Sequence, residues 1–292
     1  MSLFEQTIAL LKNRQAQATA VDAGSRTSRP AARSHDIDPL DEAGSAQRHS
    51  VDTAALRAAG YLPEPGVERQ FAEQYRRIKR PLIDKALSSA AVSNLRIIVV
   101  TSALPGDGKT FTSINLALSM AVERDISVLL IDADVAKQHV SRIFGLDAQP
   151  GLLDVLADEK LELRSVVVPT TTRGFSILPV GSRIPNSTEL LSSSRMREVM
   201  AKLCARNPQR ILLLDSPPLL VTNEGRDLVK IAGQVVLVVR AEQTPRHAVQ
   251  AAIGQFEMQQ AGGVVLNQVP GDSTDGYYGY GYGSYGTDGA QT

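Results

Sequence analysis

Three short stretches carry residue types suited to the chemistry of a nucleotide polyphosphate. The first is Ser102-Ala103-Leu104-Pro105-Gly106-Asp107-Gly108-Lys109-Thr110. It follows an apolar, β-branched run, Arg96–Thr101, and precedes a helix expected over Phe111–Val122. A glycine loop between a strand and a helix N-terminus points backbone N–H groups and the positive end of the helix dipole at phosphates. Lys109 adds a full charge near the β and γ phosphates, and the Thr110 hydroxyl can ligate Mg²⁺. Ala103, Pro105, Gly106, Asp107, Gly108, Lys109, Thr110 and Phe111 are therefore the candidate nucleotide contacts. The strict loop pattern has glycine where this chain has Ala103, so the neighbouring stretches must decide.

The second stretch is Ser127–Ile131 followed by Asp132-Ala133-Asp134, and the third is Arg210–Leu214 followed by Asp215-Ser216-Pro217-Pro218. Both place an acid at the carboxyl end of a buried strand, where open α/β sheets bind their ligands. A Mg²⁺–ATP site needs carboxylates there to hold metal and order water. The candidate metal set is Thr110, Asp132 and Asp215; the candidate catalytic set is Lys109, Asp132 and Asp134. Asn267, at the end of a last strand Gly263–Leu266, either reads an adenine edge or caps its loop.

The elements that must position these residues alternate in a regular way after residue 95. Strands are expected at 95–101, 127–131, 175–181, 210–214, 234–240 and 263–267. Short helices are expected within 140–157, a long one over Ser187–Arg206 capped by Ser187 or Thr188, and another over Arg246–Gln259. The fold class is α/β, a doubly wound, mostly parallel sheet. Ahead of it, Glu68–Leu87 carries Phe71, Tyr75, Ile78, Leu82 and Ile83 at helical spacing, bent or restarted near Pro81. Its expected polar face holds Glu73, Arg76, Arg77, Lys79 and Arg80.

Composition excludes several classes. The 292 residues carry 31 basic and 31 acidic side chains, so no global charge argues for nucleic acid. One cysteine, Cys204, sits in an apolar helical pattern; it reads as a core thiol in a reducing compartment and rules out a disulfide framework. Met1–Arg14 has the spacing of a short amphipathic helix rather than a signal peptide, and no apolar run is long enough to span a membrane. Residues 15–50, rich in Ala, Ser, Arg, Asp, Gly and Pro, read as a disordered linker, with order expected from Val67. The organisation is thus 1–66 helix plus linker, 67–270 phosphate-loop domain (67–90 its leading helix) and 271–292 a flexible tail. Five of the seven tyrosines, Tyr277, Tyr278, Tyr280, Tyr282 and Tyr285, lie in that glycine-spaced tail. Glycine between them prevents a packed element, so their hydroxyls are exposed acceptors.

Taken together, these residues resemble the bacterial protein-tyrosine autokinases (BY-kinases) of exopolysaccharide and capsule systems, over about residues 68–292. Residues 102–110 look like that family's Walker A, Leu129–Asp134 like its Walker A′, Leu212–Pro218 like its Walker B, and the tail like its tyrosine cluster. Met1–Arg14, Tyr75–Leu82 and Asp134-Val135-Ala136-Lys137 are similar to the branch that accompanies exosortase loci. The resemblance implies a P-loop NTPase of the partition-ATPase-like superfamily that uses ATP and Mg²⁺ to phosphorylate Tyr277, Tyr278, Tyr280, Tyr282 and Tyr285 in trans. It gives Asp132 the further task of accepting the tyrosine proton, and sets Asp134 near the subunit boundary. It implies a homo-oligomer, a ring built through Glu73, Arg76 and Lys79. It also implies partners: the cytoplasmic part of a membrane-bound chain-length regulator and a phosphotyrosine phosphatase, with the protein peripheral at the inner membrane. The family often has Arg where this chain has Ala136 and where it has Lys79, and lysine lacks the bidentate fork.

Two other readings remain. A partition-type switch ATPase carries a signature lysine early in the loop, where Leu104 stands, and lacks a tyrosine tail. A non-catalytic nucleotide-binding adaptor would not need Lys109, Asp132 and Asp215 together.

Overall fold

Runs of β-branched and aliphatic residues form fully buried strands because helices cover both faces of a parallel sheet. The computed structural model describes residues 48–88 and 93–270, and its strands fall where those runs lie. In chain order they are β1 (Ile97–Ser102), β2 (Ser127–Asp132), β3 (Val168–Pro169), β4 (Phe175–Leu178), β5 (Arg210–Asp215), β6 (Gln234–Arg240) and β7 (Ala261–Asn267). They form one sheet in the order β3-β4-β2-β5-β1-β6-β7, parallel except for the β3–β4 pair. Neighbouring residues of β1 serve opposite faces: Val99 joins one apolar cluster, while Ile98 and Val100 join the other.

The helices are α1 (Thr53–Ala58), α2 (Glu68–Leu87), α3 (Lys109–Ala121), α4 (His139–Ile143), α5 (Leu152–Ala157), α6 (Leu163–Val166), α7 (Ser187–Ser192), α8 (Ser194–Arg206), α9 (Asn223–Ile231) and α10 (Arg246–Ile253). α3 buries Ile114, Leu116, Ala117 and Met120 on one face of the sheet, beside Tyr75, Leu82 and Ala86 of α2. α8 buries Met196, Val199, Met200 and Leu203 on the other. Among the described residues, no helix is long and apolar enough to cross a membrane.

The structure corrects the sequence reading in several places. Order begins well before Val67. His49 donates its N–H to Pro169 O and accepts from Thr171 N (both 2.9 Å), bridging to Thr170 beside β3. Leu56 of α1 is 2 % exposed within the α3-side core. One leucine on one short helix gives too weak a periodic signal to see in an Ala-rich stretch. The expected long helix over 187–206 is two: Ser193 leaves helical geometry (ψ 163°), and its hydroxyl accepts from Met196 N to cap α8. The expected helix over 246–259 stops at Ile253, and a 3₁₀ turn at Met258–Gln260 leads into β7. β3 and α9 have no counterpart in the sequence reading.

Lys79 is the most consequential correction. It is not on the solvated face with Glu73 and Arg76, because Tyr75, Lys79, Leu82 and Ala86 form the buried stripe of α2. Its ammonium donates to Ser119 O (2.5 Å) and pairs with Glu123 at 2.9 Å, at the C-terminal end of α3 where a cation is favoured. Glu73 instead pairs within its own exposed face, with Arg76 at 2.8 Å and Arg77 at 3.8 Å.

Candidate nucleotide site

The turn between β1 and α3 is forced by two glycines in left-handed backbone, Gly106 (φ 88°) and Gly108 (φ 95°). Gly108 also admits a close neighbour: a Cβ there would lie 1.9 Å from Asn267 Nδ2. Ala103 is fully buried among the apolar residues under the loop, so its methyl fills core rather than obstructing the cradle. Pro105 and Gly106 are exposed at the loop tip.

Asp107 stitches the loop to the rest of the site. Its carboxylate accepts from Leu104 N (3.2 Å) and from Thr244 Oγ1 (2.8 Å), and its carbonyl accepts from Asn267 Nδ2 (3.0 Å). Asn267 therefore caps the loop with one amide hydrogen, the second of the two readings its position allowed. Phe111 packs edge-on against Phe71 of α2, with ring centroids 5.6 Å apart, and so ties the start of α3 to that helix.

The parallel register brings the acids together. Asp132 lies opposite Asp215 on adjacent strands, and Val100 of β1 lies opposite Asp215 on its other side. Thr110 Oγ1 donates to Asp215 Oδ2 (2.8 Å) and Ser113 Oγ donates to Oδ1 (2.9 Å). Ser141 holds Asp132 through both its backbone N–H (2.8 Å) and its hydroxyl (2.7 Å), both reaching Oδ2. Among the described residues, Oδ1 of Asp132 is buried with no hydrogen-bond partner. Burial drives the Asp215 pKa up to about 7, helped by the charge of Asp132. Burial likewise raises Asp132 to about 6, against the Ser141 hydrogen bonds that lower it.

Lys109, 6 % exposed, is the countercharge. Burial lowers its pKa, and the fields of Asp215, Asp134 and Asp107 oppose that loss. Asp134 is buried and shapes the following turn: its Oδ1 accepts from Lys137 N (3.1 Å) and its carbonyl from Gln138 N (2.7 Å). Gln138 takes left-handed backbone there (φ 53°), a cost that side chains other than glycine pay only in a held turn. Of the sequence candidates, Lys109, Thr110, Asp132 and Asp215 thus form one cluster, with Asp107, Gly108 and Asn267 fixing the loop above it. Glu73 and Arg76 lie apart on the outer face of α2, and the five tail tyrosines lie outside the described residues.

The sequence reading passed over Ser113, Ser141, Thr244 and Tyr61. Ser113 stands one helical turn beyond Thr110, a spacing that could have flagged it. Ser141 and Thr244 give no local signal. The Tyr61 carbonyl accepts from Asn115 Nδ2 of α3 (2.8 Å), and its phenol pKa is raised by burial and then by the charge of Asp215.

Comparison with known proteins follows the same lines. Residues 95–261 match the AAA_31 family model, described as an AAA domain. The chain is 33 % identical over 179 residues to "Tyrosine-protein kinase YwqD" of Bacillus subtilis (strain 168), covering 60 % of this chain and 70 % of that protein. It is 35 % identical over 194 residues to "Putative tyrosine-protein kinase EpsB" of Ralstonia nicotianae, covering 66 % of this chain but 25 % of that one. The chain thus spans about a quarter of the length of the first curated relatives it matches. Among solved structures, the VpsO kinase domain superposes with a TM-score of 0.58 at 31 % identity, covering 70 % of this chain and all of that one.

Proposed function

Because the chain belongs to the AAA_31 family and, within it, to the bacterial tyrosine-protein kinases, we propose that it is an ATP- and Mg²⁺-dependent protein-tyrosine autokinase domain. The observation that carries this reading is the convergence of Lys109, Thr110, Asp132 and Asp215 beneath one glycine loop. Their donor set suits a hard divalent cation: two desolvated carboxylates and a hydroxyl beside them. Bound there, Mg²⁺ would neutralise charge developing on the transferring phosphoryl group.

The chain's own residues then have distinct tasks. Backbone N–H groups of the loop and the start of α3 cradle the phosphates, with Lys109 as their fixed positive charge. Thr110, Asp132 and Asp215 hold the cation. Asp132 Oδ1, buried and without a partner, accepts the tyrosine proton as the phenol oxygen takes the γ-phosphoryl group and ADP leaves. Asp134 shapes the rim beside Lys109. Asn267 secures the loop through the Asp107 carbonyl.

The acceptors in this reading are Tyr277, Tyr278, Tyr280, Tyr282 and Tyr285 of a neighbouring copy. The assembly is a homo-oligomer joined through the exposed Glu73 and Arg76. Its partners are the cytoplasmic part of a membrane-bound polysaccharide chain-length regulator and a phosphotyrosine phosphatase, at the inner membrane. The test is a phosphosite map of the purified chain incubated with ATP and Mg²⁺ beside Lys109→Met. Tail phosphotyrosine is expected in the first and lost in the second. No tail phosphate in the wild type, with the activating partner present, would sink the proposal.

A further inference from the structure

On the α8 side of the sheet, away from the glycine loop, a cavity of about 560 Å³ opens between α8 and the segment entering α6. α8 contributes Arg195, Val199, Lys202 and Arg206, whose steps of four, three and four place them on one helix face. Lys160 and Arg164 close the opposite wall, along with Glu159 and Glu162.

Basic side chains outnumber acidic ones here, and some of their hydrogen-bonding capacity is unmet. The Arg195 side chain is only 16 % exposed, and its Nε is buried with no partner among the described residues. Its ion pair with Glu198 is a loose 3.5 Å contact on the helix surface. A buried donor left unmade costs about 1–3 kcal/mol. Arginine in the first turn of a helix is opposed by the dipole as well. Arg164 is engaged by Glu162, whereas Lys160, Lys202 and Arg206 have no ion-pair partner among the described residues. A solvated charged face would leave Arg195 free to extend into water, yet most of its side chain is buried.

We propose that this cavity binds a small organic anion carrying at least two phosphate groups. Arg195 and Lys202 are seven residues apart, about 10 Å along the helix, and Lys160 and Arg164 face them from the other wall, so positive charge is spread over two sides of the cavity, as a ligand with more than one phosphate requires. The partly exposed Leu161 gives the uncharged middle of such a ligand an apolar wall. The cavity falls in the range of about 300–1,000 Å³ usual for small-molecule sites. Arginine and lysine supply, respectively, a phosphate-matching fork and a compact point charge. None of the lining residues belongs to the nucleotide loop, so the two sites are separable.

The probe is inorganic tripolyphosphate, titrated calorimetrically into the full chain in chelator-containing buffer, with orthophosphate as the single-phosphate control. The wild type is expected to show two classes of site. Lys109→Met removes the one at the glycine loop. Lys202→Gln, an exposed position that leaves the fold intact, weakens the other, and Arg195→Gln with Lys202→Gln weakens it by about tenfold or more. Orthophosphate binds the second class at least about tenfold more weakly. The proposal is overturned if Lys109→Met abolishes all tripolyphosphate binding, if the α8 variants leave the isotherm unchanged, or if orthophosphate binds the second class equally well.

Discussion

Replacing Asp215 by Asn separates what the site costs the fold from what it gives to ligand binding. Asp215 is fully buried, opposite Asp132, and its pKa is raised from 3.8 to about 7, first by burial. The folded chain therefore holds this proton more tightly than the unfolded chain. Its contribution to stability is greatest below about pH 4 and is lost as the pH rises through about 7. Three pKa units correspond to about 4 kcal/mol at neutral pH. Asparagine cannot ionise, so it escapes that loss. It also satisfies the Thr110 and Ser113 hydroxyls less well than a carboxylate does, at about 1 kcal/mol. The variant should be about 3 kcal/mol more stable than the wild type at pH 8 without divalent cation, and equal or slightly less stable at pH 4. Urea unfolding at the two pH values in chelator reads the difference directly. The second arm repeats the pH 8 measurement with Mg²⁺ and ATP, which should stabilise the wild type and leave the variant unmoved. An equal loss of stability at both pH values would refute the electrostatic argument. A retained Mg²⁺–ATP shift would remove Asp215 from the proposed cation set.

Two further outcomes follow from the packing. Leu56→Ala should cost about 2–4 kcal/mol in urea unfolding, because Leu56 is 2 % exposed within the α3-side core; an unchanged midpoint would detach residues 48–66 from the folding unit. Lys79→Met preserves volume at a buried position and should leave the oligomeric state measured by light scattering unchanged, while Arg76→Glu on the exposed face of α2 alters it. Dissociation caused by Lys79→Met alone would restore Lys79 to the interface.

What the sequence revealed and what it hid divide along physical lines. β1, β2, β5 and β6 were legible because a strand buried on both faces must be apolar throughout. Asp132 and Asp215 were legible because each breaks such a run at its carboxyl end. β3, with two residues, is too short to carry a pattern, and the break between α7 and α8 hides in Ser192-Ser193-Ser194, where any serine could be the cap. Lys79 misled because a long amphipathic side chain can occupy a core-facing position once its end finds Ser119 O and Glu123, partners some forty residues away in sequence. The contacts of Asp107 with Thr244 and Asn267 are more distant still. Local pattern marks the groups that carry charge, whereas the neutral groups that orient them come from elsewhere in the fold.

Those orienting groups also explain how two similar acids can serve different ends. Every side-chain donor to Asp132 and Asp215 is a hydroxyl: Ser141 for the first, Thr110 and Ser113 for the second. A hydroxyl fixes a carboxylate without cancelling its charge, whereas a lysine or arginine in the same place would leave less charge to attract a cation. The arrangement is unequal. Both oxygens of Asp215 are committed to α3, one of them to Thr110, so this acid aligns the helix start with the glycine loop. Asp132 is held by Ser141 at Oδ2, leaving Oδ1 buried with no side-chain donor among the described residues. An orphaned oxygen is tolerated where a ligand or a proton completes it. In the proposed kinase reading the asymmetry favours Asp132 over Asp215 as the base toward a tyrosine hydroxyl, and it rests on Ser141, which holds Asp132 by one oxygen alone.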